Sequence, residues 1–542
     1  MAKAKKQSFL GGAAVLAAAV AIVKLIGALY KIPLGNMLSG TGMGYFGTAY
    51  NIYSVLLTIS TAGLPLALSK LVSEANTLGR HNQKHRIFRV ALATFFVIGA
   101  VGTLSMFFFP QQLAVIMDNS QAWYAIKALS PAVVCVCCMS AFRGYTQGQT
   151  QMMPTAISQV IEALCKLLIG LVLVMFMVNA GYDEAHAAGG AILGVTVGTA
   201  LALIYLVFNY RKTSRYELAV VRDRPSSRES ILKGILRLGI PITLGSSVMS
   251  IITLVDNKLI LMRLQDAVGF TEQMASWHYG AYFNTMNLYN LPSSFIVPIT
   301  VSVIPAVAAC LARQDGKGVN QIVSSSMRIT ALLAFPAGIG LCVLSGPILN
   351  LVYPLKPEEA AVGAPLLAVL GIASIFVCLM LLSNSILQAH GMVNVPIITM
   401  LAGGVVKIVT NWVLVGNPDI NIKGAPVGTL LCFALIAILN FFVVLRILPK
   451  RPSLRRTFFM PAIAAGLMGV VAWGSYQILH AGVQAVFSSG HGLIGNGISV
   501  MGAMVMGVVV YAVLVVKMHI ISKEDLSLMP KGEKIAKILR IQ

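Results

Sequence analysis

Long apolar runs constrain the fold of this chain more than any other feature of its sequence. Each run extends for about 20 residues or more, the length of an α-helix that crosses a lipid bilayer. Membrane β-strands need only about 10 residues and alternate apolar with polar side chains, so the runs exclude a β-barrel. Because 57% of the residues are hydrophobic and only 11% are charged, the chain also lacks the polar surface of a soluble protein. We predict an all-α integral membrane protein with fourteen transmembrane helices, at residues 9–34, 45–76, 88–109, 122–147, 154–179, 189–210, 237–263, 277–311, 321–346, 361–389, 395–416, 425–447, 457–480 and 493–517.

Positive charges are distributed unevenly between the predicted loops. Of the 40 lysines and arginines, 29 lie in the termini and alternate loops or in the parts of the spans that adjoin them, and only Arg263, Lys356 and Lys423 lie in or beside the loops on the opposite side. Lysine and arginine accumulate in cytoplasmic loops, so both termini are predicted to be cytoplasmic, which requires an even number of spans. The net charge of +22 therefore comes mainly from the cytoplasmic loops and does not indicate a nucleic-acid partner.

The charged segment 211–236 separates the predicted spans into two groups. We predict an N-terminal lobe of six spans at 1–210, a cytoplasmic basic linker at 211–236, a C-terminal lobe of six spans at 237–447, two further spans at 448–517 and a cytoplasmic tail at 518–542. An internal repeat supports two pseudo-symmetric lobes, because shifts of 233 and 241 residues each move the chain by six helices. The aligned positions include Asn51 with Asn284, Pro65 with Pro298, and Lys166 with Lys407.

Charged residues inside the apolar runs are the best candidates for function. A charge at the centre of a bilayer costs about 2.5–3.5 kcal/mol on insertion scales, and such residues often mark a substrate pathway. The deep set comprises Lys24, Glu162, Lys166, Asp256, Lys258 and Lys407. Four cations against two acids make a cationic cavity, which favours an anionic cargo such as a phosphate or pyrophosphate. Lys24 and Lys407 have no charged residue nearby in the sequence, so they are the first candidates for cargo contacts.

Sequence spacing predicts partners for the other charges. Glu162 and Lys166 are four residues apart, so they lie on one helical face and can pair with each other. That pair fits a structural role as well as a functional one. Asp256 and Lys258 are two residues apart, so their side chains diverge and meet different partners. Lys31 lies near the end of a span, from which it reaches either the cavity or the lipid headgroups.

Two further pairs are candidates for a structural or gating role. Lys70 and Glu74 have the spacing of a helical ion pair near the cytoplasmic end of the second span. Pro65 and Pro298 occupy equivalent positions of the repeat, and a proline inside a helix removes a backbone hydrogen bond and permits bending.

The chain lacks the sequence motifs of common catalytic sites. It contains no GxxxxGK[ST], HExxH or GxSxG motif and no loop long enough for a catalytic domain. We predict that it is not an enzyme and that it has no metal site and no cofactor. Any energy for transport is expected to come from a coupling ion, H⁺ or Na⁺, from the membrane potential or from the gradient of the cargo.

Two segments near the N-terminus resemble a known family. They are Lys31-Ile-Pro-Leu with Gly42-Met-Gly-Tyr-Phe-Gly-Thr-Ala-Tyr-Asn-Ile-Tyr, and Ser60-Thr-Ala-Gly-Leu-Pro-Leu-Ala-Leu-Ser-Lys-Leu-Val. In these segments the chain resembles the MurJ and stage V sporulation protein B group of lipid-linked oligosaccharide flippases, which belongs to the multidrug/oligosaccharidyl-lipid/polysaccharide exporter superfamily.

The resemblance implies a fold, a cargo and site residues. The fold is a core of two six-helix lobes with two extra helices, here 448–517, that form a groove for a lipid tail. The cargo is an undecaprenyl-pyrophosphate-linked sugar, such as the peptidoglycan precursor lipid II, moved from the inner to the outer leaflet of the bacterial cytoplasmic membrane. Lys24 matches a basic position of the first helix, whereas Leu57 and Asn287 occupy positions that are basic in the MurJ branch. The sugar is therefore left open between lipid II and teichoic, capsular or spore precursors.

Three functions remain open on the sequence. The first is a flippase that works by alternating access for cell-wall or surface polysaccharide synthesis, in which Lys24 meets the pyrophosphate with help from Lys166, Lys258 or Lys407. Its partners would be the lipid-linked sugar, membrane lipids and cell-wall synthesis proteins. The second is a cation-coupled multidrug exporter of the same superfamily, for which Glu162 and Asp256 would be coupling acids. The third is a membrane scaffold for cell-wall enzymes that transports nothing.

Overall fold

The chain is built from α-helices joined by short turns. The computed structural model describes residues 9–217, 223–486 and 492–521, and it has no β-strand in those ranges. The first ten helices are α1 Phe9–Met37, α2 Gly40–Thr61, α3 Gly63–Thr77, α4 His81–Phe108, α5 Pro110–Ile116, α6 Trp123–Gly148, α7 Met153–Asn179, α8 Glu184–Glu217, α9 Arg228–Asp266 and α10 Glu272–Tyr289. The next eight are α11 Leu291–Ala312, α12 Gly316–Val343, α13 Ser345–Val352, α14 Pro357–Ala389, α15 Asn394–Leu414, α16 Gly424–Ile447, α17 Met460–Val486 and α18 Gly492–Lys517. Two short 3₁₀-helices, Ser120–Ala122 and Asn421–Lys423, and a π-helix, Arg455–Phe459, complete the described secondary structure.

The predicted membrane-spanning architecture is confirmed. Within the described ranges, fourteen helical segments are long and apolar enough to cross a membrane. Every predicted span overlaps a helix, and most predicted ends lie within a few residues of the observed ones. Short helices that the sequence did not indicate, α5 and α13, follow directly after spans.

The chain forms two compact units, Met1–Gly280 and Ala281–Gln542. The sequence placed the division earlier, at the 211–236 segment. In the structure, α8 runs to Glu217 and α9 begins at Arg228, so helices occupy much of that segment. The first unit also includes α9, because α9 packs against α2, α3 and α4. The predicted six-span lobes follow the sequence repeat and stay a prediction. Residues 218–222 of the predicted linker and 522–542 of the predicted tail lie outside the described residues.

Glycines permit the close helix packing in the first unit. At Gly194 on α8, an added Cβ would lie only 2.4 Å from the Cα of Gly170 on α7. The glycines of α8 at positions 190, 194 and 198 recur every four residues, which is the spacing of close helix contacts in membranes. This contact also fixes α1, because a Cβ on Gly170 would meet the ring of Tyr30 at 3.0 Å. The α7–α8 hairpin and α1 therefore form one tightly packed layer.

In the second unit, α14 occupies a central position. It packs against α11, α12, α13 and α16, and 18 of its residues are buried. Helices α17 and α18 pack against each other, and α17 also contacts α12. A cluster of apolar side chains that includes Leu344, Leu349, Ala472, Val500 and Ala503 joins these last two helices to the rest of the unit.

The two candidate hinge prolines behave differently. Pro65 lies just after a break at Ala62, where α2 ends and α3 begins. A proline at position 65 cannot donate a hydrogen bond to the carbonyl of Thr61, which accounts for the end of α2 there. Pro298 lies inside α11, which continues past it without a break. The eighth predicted span breaks instead at Asn290, just before Pro292. The structural or gating role of Pro65 and Pro298 stays a prediction.

Candidate functional site

Helix α1 presents lysines on a face that is separate from its exposed apolar side chains. Lys24 and Lys31 are seven residues apart, so they project within about 20° of each other around the helix. The exposed apolar side chains Ile22, Leu25 and Leu29 project about 100–160° away from Lys24. Lys24 is exposed and has no ion pair or hydrogen bond in the described part of the chain. Lys24 therefore projects from a different side of α1 than these exposed apolar side chains.

Lys166 on α7 lies between two tyrosine rings. Its Nζ is 4.9 Å from the ring centroid of Tyr30 and 4.8 Å from that of Tyr50. The Nζ of Lys31 also lies near one of these rings, 6.0 Å from the ring centroid of Tyr50. These distances suit cation–π attraction, which stabilises an ammonium group without a carboxylate partner. Tyr30 is itself fixed, because it is fully buried and its hydroxyl donates to the carbonyl of Ala191 at 3.1 Å.

These residues form a basic cluster, defined here as Lys24, Lys31, Lys166, Tyr30 and Tyr50. Lys24 and Lys166 each lie close enough to repel an ammonium group at Lys31. Such repulsion is relieved when an anion binds among the cations, and a partly desolvated setting strengthens that attraction. The basic cluster is thus suited to hold a multiply charged anion such as a phosphate or pyrophosphate.

Aromatic side chains of α2 extend the basic cluster along the first unit. Phe46 and Tyr50 stack with their ring centroids 5.8 Å apart, and Tyr50 and Tyr53 follow at 5.9 Å. Tyr53 is 2% exposed, and its hydroxyl has no hydrogen-bond partner in the described part of the chain. The charges of Glu162 and Arg143 both act on Tyr53, which places this ring between the basic cluster and a charged pair on α6 and α7.

The predicted pairing of Glu162 with Lys166 is wrong. Glu162 instead accepts a hydrogen bond from Nη2 of Arg143 at 3.0 Å, and the two side chains are only 26% and 12% exposed. The Nε of Arg143 donates to the Oγ of Ser158, also at 3.0 Å. The pair compensates the charge of Glu162, and Lys166 has only the two tyrosine rings as partners among the described residues. Lys166 is therefore available to an anion.

Asp256 and Lys258 lie outside the basic cluster. Lys258 pairs with Asp118, in the turn after α5, at 2.8 Å, and it also donates to the carbonyl of Ile116, the last residue of α5. The Nε2 of Gln265 donates to the carbonyl of Asp118 at 2.7 Å, which fixes the same turn against α9. Asp256 is buried, with 5% of its surface exposed. Their separate environments agree with the expectation that their side chains diverge, and they assign Lys258 to fastening a turn.

The second unit contains two further candidate residues, Lys407 and Asn287. Lys407 on α15 is only 5% exposed, and the glycine of α16 at position 428 approaches its carbonyl. Asn287 on α10 is half-buried and lies within hydrogen-bonding reach of the side chain of Tyr353. The amide nitrogen of Asn287 has no hydrogen-bond partner among the residues that the structure describes. Lys407 thus has a more enclosed environment than Lys166, its counterpart in the repeat.

The predicted Lys70–Glu74 pair does not form. Both side chains are exposed on α3, and the structure has no ion pair between them. They line an open groove with residues of α6 and α9, including Gln147 and Leu238. Exposure at the end of a span fits side chains that reach water, since such an ion pair contributes little stability.

Arg143, Tyr30 and Tyr50 are site residues that sequence reasoning missed. Arg143 lies near the end of a predicted span, at 122–147, where a cation can simply reach the headgroups. The signal that could have identified its role is the short α6–α7 connection, since an antiparallel hairpin with its turn near residue 151 brings Arg143 close to Ser158 and Glu162. No comparable signal identified the tyrosines, whose contacts join three helices that are distant in the sequence.

The described residues offer no evident metal site. They contain no group of three or more histidine, cysteine, aspartate or glutamate side chains that could hold a metal ion. The basic cluster and its neighbours on α6 and α7 consist of cations, tyrosines and one compensated carboxylate.

The chain is similar to two proteins of Bacillus subtilis and to a solved flippase structure. It is 25% identical to stage V sporulation protein B of Bacillus subtilis (strain 168) over 448 residues, which cover 82% of this chain and 85% of that protein. It is 26% identical to the lipid II flippase MurJ of the same organism over 494 residues, covering 86% and 88% of the two chains. Among solved structures, lipid II flippase MurJ in an inward closed conformation matches with a TM-score of 0.68 at 14% identity, covering 94% of this chain and 99% of that one.

The family assignment rests on the sequence, and the structural match shows the same fold. The family described as "Polysaccharide biosynthesis protein" matches residues 9–311, which is more than half of the chain and includes the whole basic cluster. The expected resemblance to the MurJ and stage V sporulation protein B group is thereby confirmed. This multi-pass membrane protein belongs to the polysaccharide biosynthesis protein family.

Proposed function

We propose that this protein is a flippase for an undecaprenyl-pyrophosphate-linked sugar, either lipid II or a related lipid-linked precursor. It would move this precursor from the inner to the outer leaflet of the bacterial cytoplasmic membrane by alternating access, for the synthesis of peptidoglycan or a surface polysaccharide. Both termini would face the cytoplasm, as the charge bias of the loops indicates. Family membership and similarity to a protein named as a lipid II flippase support this proposal.

The basic cluster is the observation that carries the proposal. Lys24 and Lys166 lack an ion pair in the described part of the chain, and their charges converge on Lys31. A pyrophosphate carries several negative charges and offers oxygen acceptors to several ammonium groups at once. Tyr30 and Tyr50 hold the Lys166 ammonium before the anion arrives, which lowers the entropy cost of binding.

The two alternative functions receive less support from the same residues. A cation-coupled drug exporter needs a carboxylate that is available to protons or sodium, but Glu162 is held by Arg143. A scaffold has no use for repelling ammonium groups at membrane depth, where each charge is costly. In the flippase proposal, the membrane potential or an H⁺ or Na⁺ gradient would drive transport. Cell-wall synthesis proteins would supply and use the precursor.

Neutral substitutions in the basic cluster test the flippase proposal. We expect Lys24→Gln and Lys166→Gln each to weaken precursor binding by about tenfold or more, because a hydrogen bond to a charged group contributes about 1.5–3 kcal/mol. Lys166→Arg should retain most of the binding, since arginine keeps the charge and stacks on aromatic rings. Lys212→Gln, at an exposed position near the end of α8, is the matched control for loss of one cation.

The assay uses cells that depend on this protein for growth. After depletion of the wild-type protein, the cells are treated with a membrane-impermeant label. The lipid-linked precursor is then extracted, and its labelled fraction gives the amount in the outer leaflet. We expect cells with either neutral variant to accumulate unlabelled precursor at normal protein levels. In cells with Lys166→Arg or Lys212→Gln, the labelled fraction should equal that of the wild type. Normal labelling in both neutral variants would refute the role of the basic cluster.

A further inference from the structure

A second group of cations surrounds a cavity at one end of the first unit. The cavity has a volume of about 850 Å³ and lies where α4 and α9 begin. Arg86 and Arg89 of α4 and Arg228 of α9 line it. Arg86 and Arg89 are three residues apart, so they share one helical face and both project towards the cavity. The cavity is separate from the basic cluster, with which it shares no residue.

Among the described residues, no group compensates the charges of these arginines. None of the three guanidinium groups has an ion pair or hydrogen bond among the residues that the structure describes. Among the described residues that line the cavity, the one acid is Glu229, and its carboxylate already accepts from Lys233 at 2.7 Å. Three cations therefore face one space in which the described residues offer no available carboxylate, and this makes the cavity attractive to an anion.

A hydrogen-bonded turn holds the two helix ends together. The carboxylate of Asp223 accepts from the backbone N–H groups of Asn82 at 2.7 Å and Gln83 at 2.9 Å. The backbone N–H of Ser226 donates to the side chain of Gln83 at 2.6 Å. These bonds fasten the segment before α9 to the first turn of α4, so Arg228 is held near Arg86 and Arg89. They also satisfy the free amides of α4, which leaves the arginines as the anion-binding groups.

The cavity continues from charged helix ends to apolar walls. Val90 and Ala93 line it from the membrane-spanning part of α4. A soluble anion would leave these walls unoccupied, whereas a phospholipid places its phosphate among the cations and its glycerol and acyl carbons against apolar side chains. Basic pockets between helices at the cytoplasmic surface are suited to acidic lipid headgroups, and arginine binds phosphate oxygens in a bidentate manner.

We propose that this cavity binds the headgroup of an acidic phospholipid, with its phosphate among Arg86, Arg89 and Arg228. The bound lipid would connect the start of α4 to the start of α9 from the membrane side. This site is independent of the proposed transport function, because none of its residues belongs to the basic cluster.

Lipid titration of the full-length protein in a neutral detergent tests this proposal. The midpoint of thermal unfolding is measured against dioctanoyl phosphatidylglycerol, dioctanoyl phosphatidylcholine and inorganic phosphate. The variants are Arg89→Gln alone and the triple variant Arg86→Gln/Arg89→Gln/Arg228→Gln. The matched control is Arg313→Gln/Lys317→Gln/Arg451→Gln, which removes three exposed cations that do not line the cavity.

We expect phosphatidylglycerol to raise the unfolding midpoint of the wild type and the control at lower concentrations than phosphatidylcholine. Each arginine removed should weaken apparent binding by about fivefold, as expected for a basic residue near an anionic lipid surface. Arg89→Gln alone should therefore weaken apparent phosphatidylglycerol binding less than the triple variant does. Equal stabilisation of the triple variant and the control would overturn the proposal, as would equal effects of the two lipids. Stabilisation by inorganic phosphate that matches phosphatidylglycerol would overturn the assignment to a lipid.

Discussion

Replacing Glu162 tests whether its partner is Arg143, as in the structure, or Lys166, as its sequence spacing suggested. A double-mutant cycle of Glu162→Gln with Arg143→Gln measures the first interaction. A parallel cycle of Glu162→Gln with Lys166→Gln measures the second. Because both cycles share one variant, they differ only in the cation that is removed.

The structure sets the expected size of both coupling energies. At 3.0 Å from Arg143, and with an effective dielectric constant of 20, the gross attraction of the pair is about 5 kcal/mol. Desolvation offsets much of this attraction, because the side chains are 12% and 26% exposed. Polar interactions between membrane helices reach about 1.7 kcal/mol in such cycles, so we expect about 1.5–2 kcal/mol for this ion pair. For Lys166, only the weak coupling of neighbours on a helix remains, at most about 0.5 kcal/mol.

The measurement is reversible unfolding of the full-length protein in detergent micelles, titrated with a denaturing detergent and followed by loss of helical circular dichroism. Free energies of unfolding for the wild type, three single variants and two double variants complete both cycles. A larger coupling for Lys166 than for Arg143 would refute the reasoning, because it would place the Glu162 carboxylate nearer to the wrong cation.

Two further predictions concern packing and pH. Gly194→Ala should lower the free energy of unfolding by about 1–3 kcal/mol, because its Cβ would lie 2.4 Å from the Cα of Gly170. Gly189→Ala on the same helix should be neutral or stabilising, since its nearest contact is at 3.7 Å, and equal losses in the two variants would contradict this account. Burial alone would raise the pKa of Asp223, but the N–H groups of Gln83 and Asn82 lower it below its ordinary value of about 3.9. The stability that this carboxylate contributes should therefore be constant from pH 7 to pH 5 and disappear as the pH falls through its lowered pKa. To measure this contribution, the unfolding free energies of the wild type and Asp223→Asn are compared as a function of pH. A difference between them that grows as the pH falls would contradict the prediction.

The spans could be predicted from the sequence because the thickness of a bilayer fixes the length of an apolar helix. The same reasoning missed α5 and α13, which have 7 and 8 residues. Helices this short do not fill a hydropathy window of about 19 residues, and their apolar residues follow directly after a span. The length of an apolar run thus indicates where a chain crosses the membrane but not where it continues as a short helix.

The candidate site was predictable in its cations but not in their partners. Lys24 and Lys166 were recognisable because a lysine in an apolar run is expensive. The partner of Glu162 was not, since the spacing rule considers one helix and Arg143 lies on the next. Lys258 is a stronger example, because its partner Asp118 lies 140 residues away in a turn with a left-handed backbone conformation. Contacts between distant turns depend on helix packing, which the composition of neither segment specifies.

The break at Ala62 determines which parts of the first unit can move separately. An added Cβ on Gly63, the first residue beyond the break, would lie 2.2 Å from the carbonyl oxygen of Gly239, so the start of α3 is pressed directly onto the backbone of α9. Bending at this joint cannot swing α3 alone without pulling two backbones apart. The smallest part that can move at this joint is therefore α3 together with the segment of α9 that it contacts. A label on either helix segment should report the displacement of both.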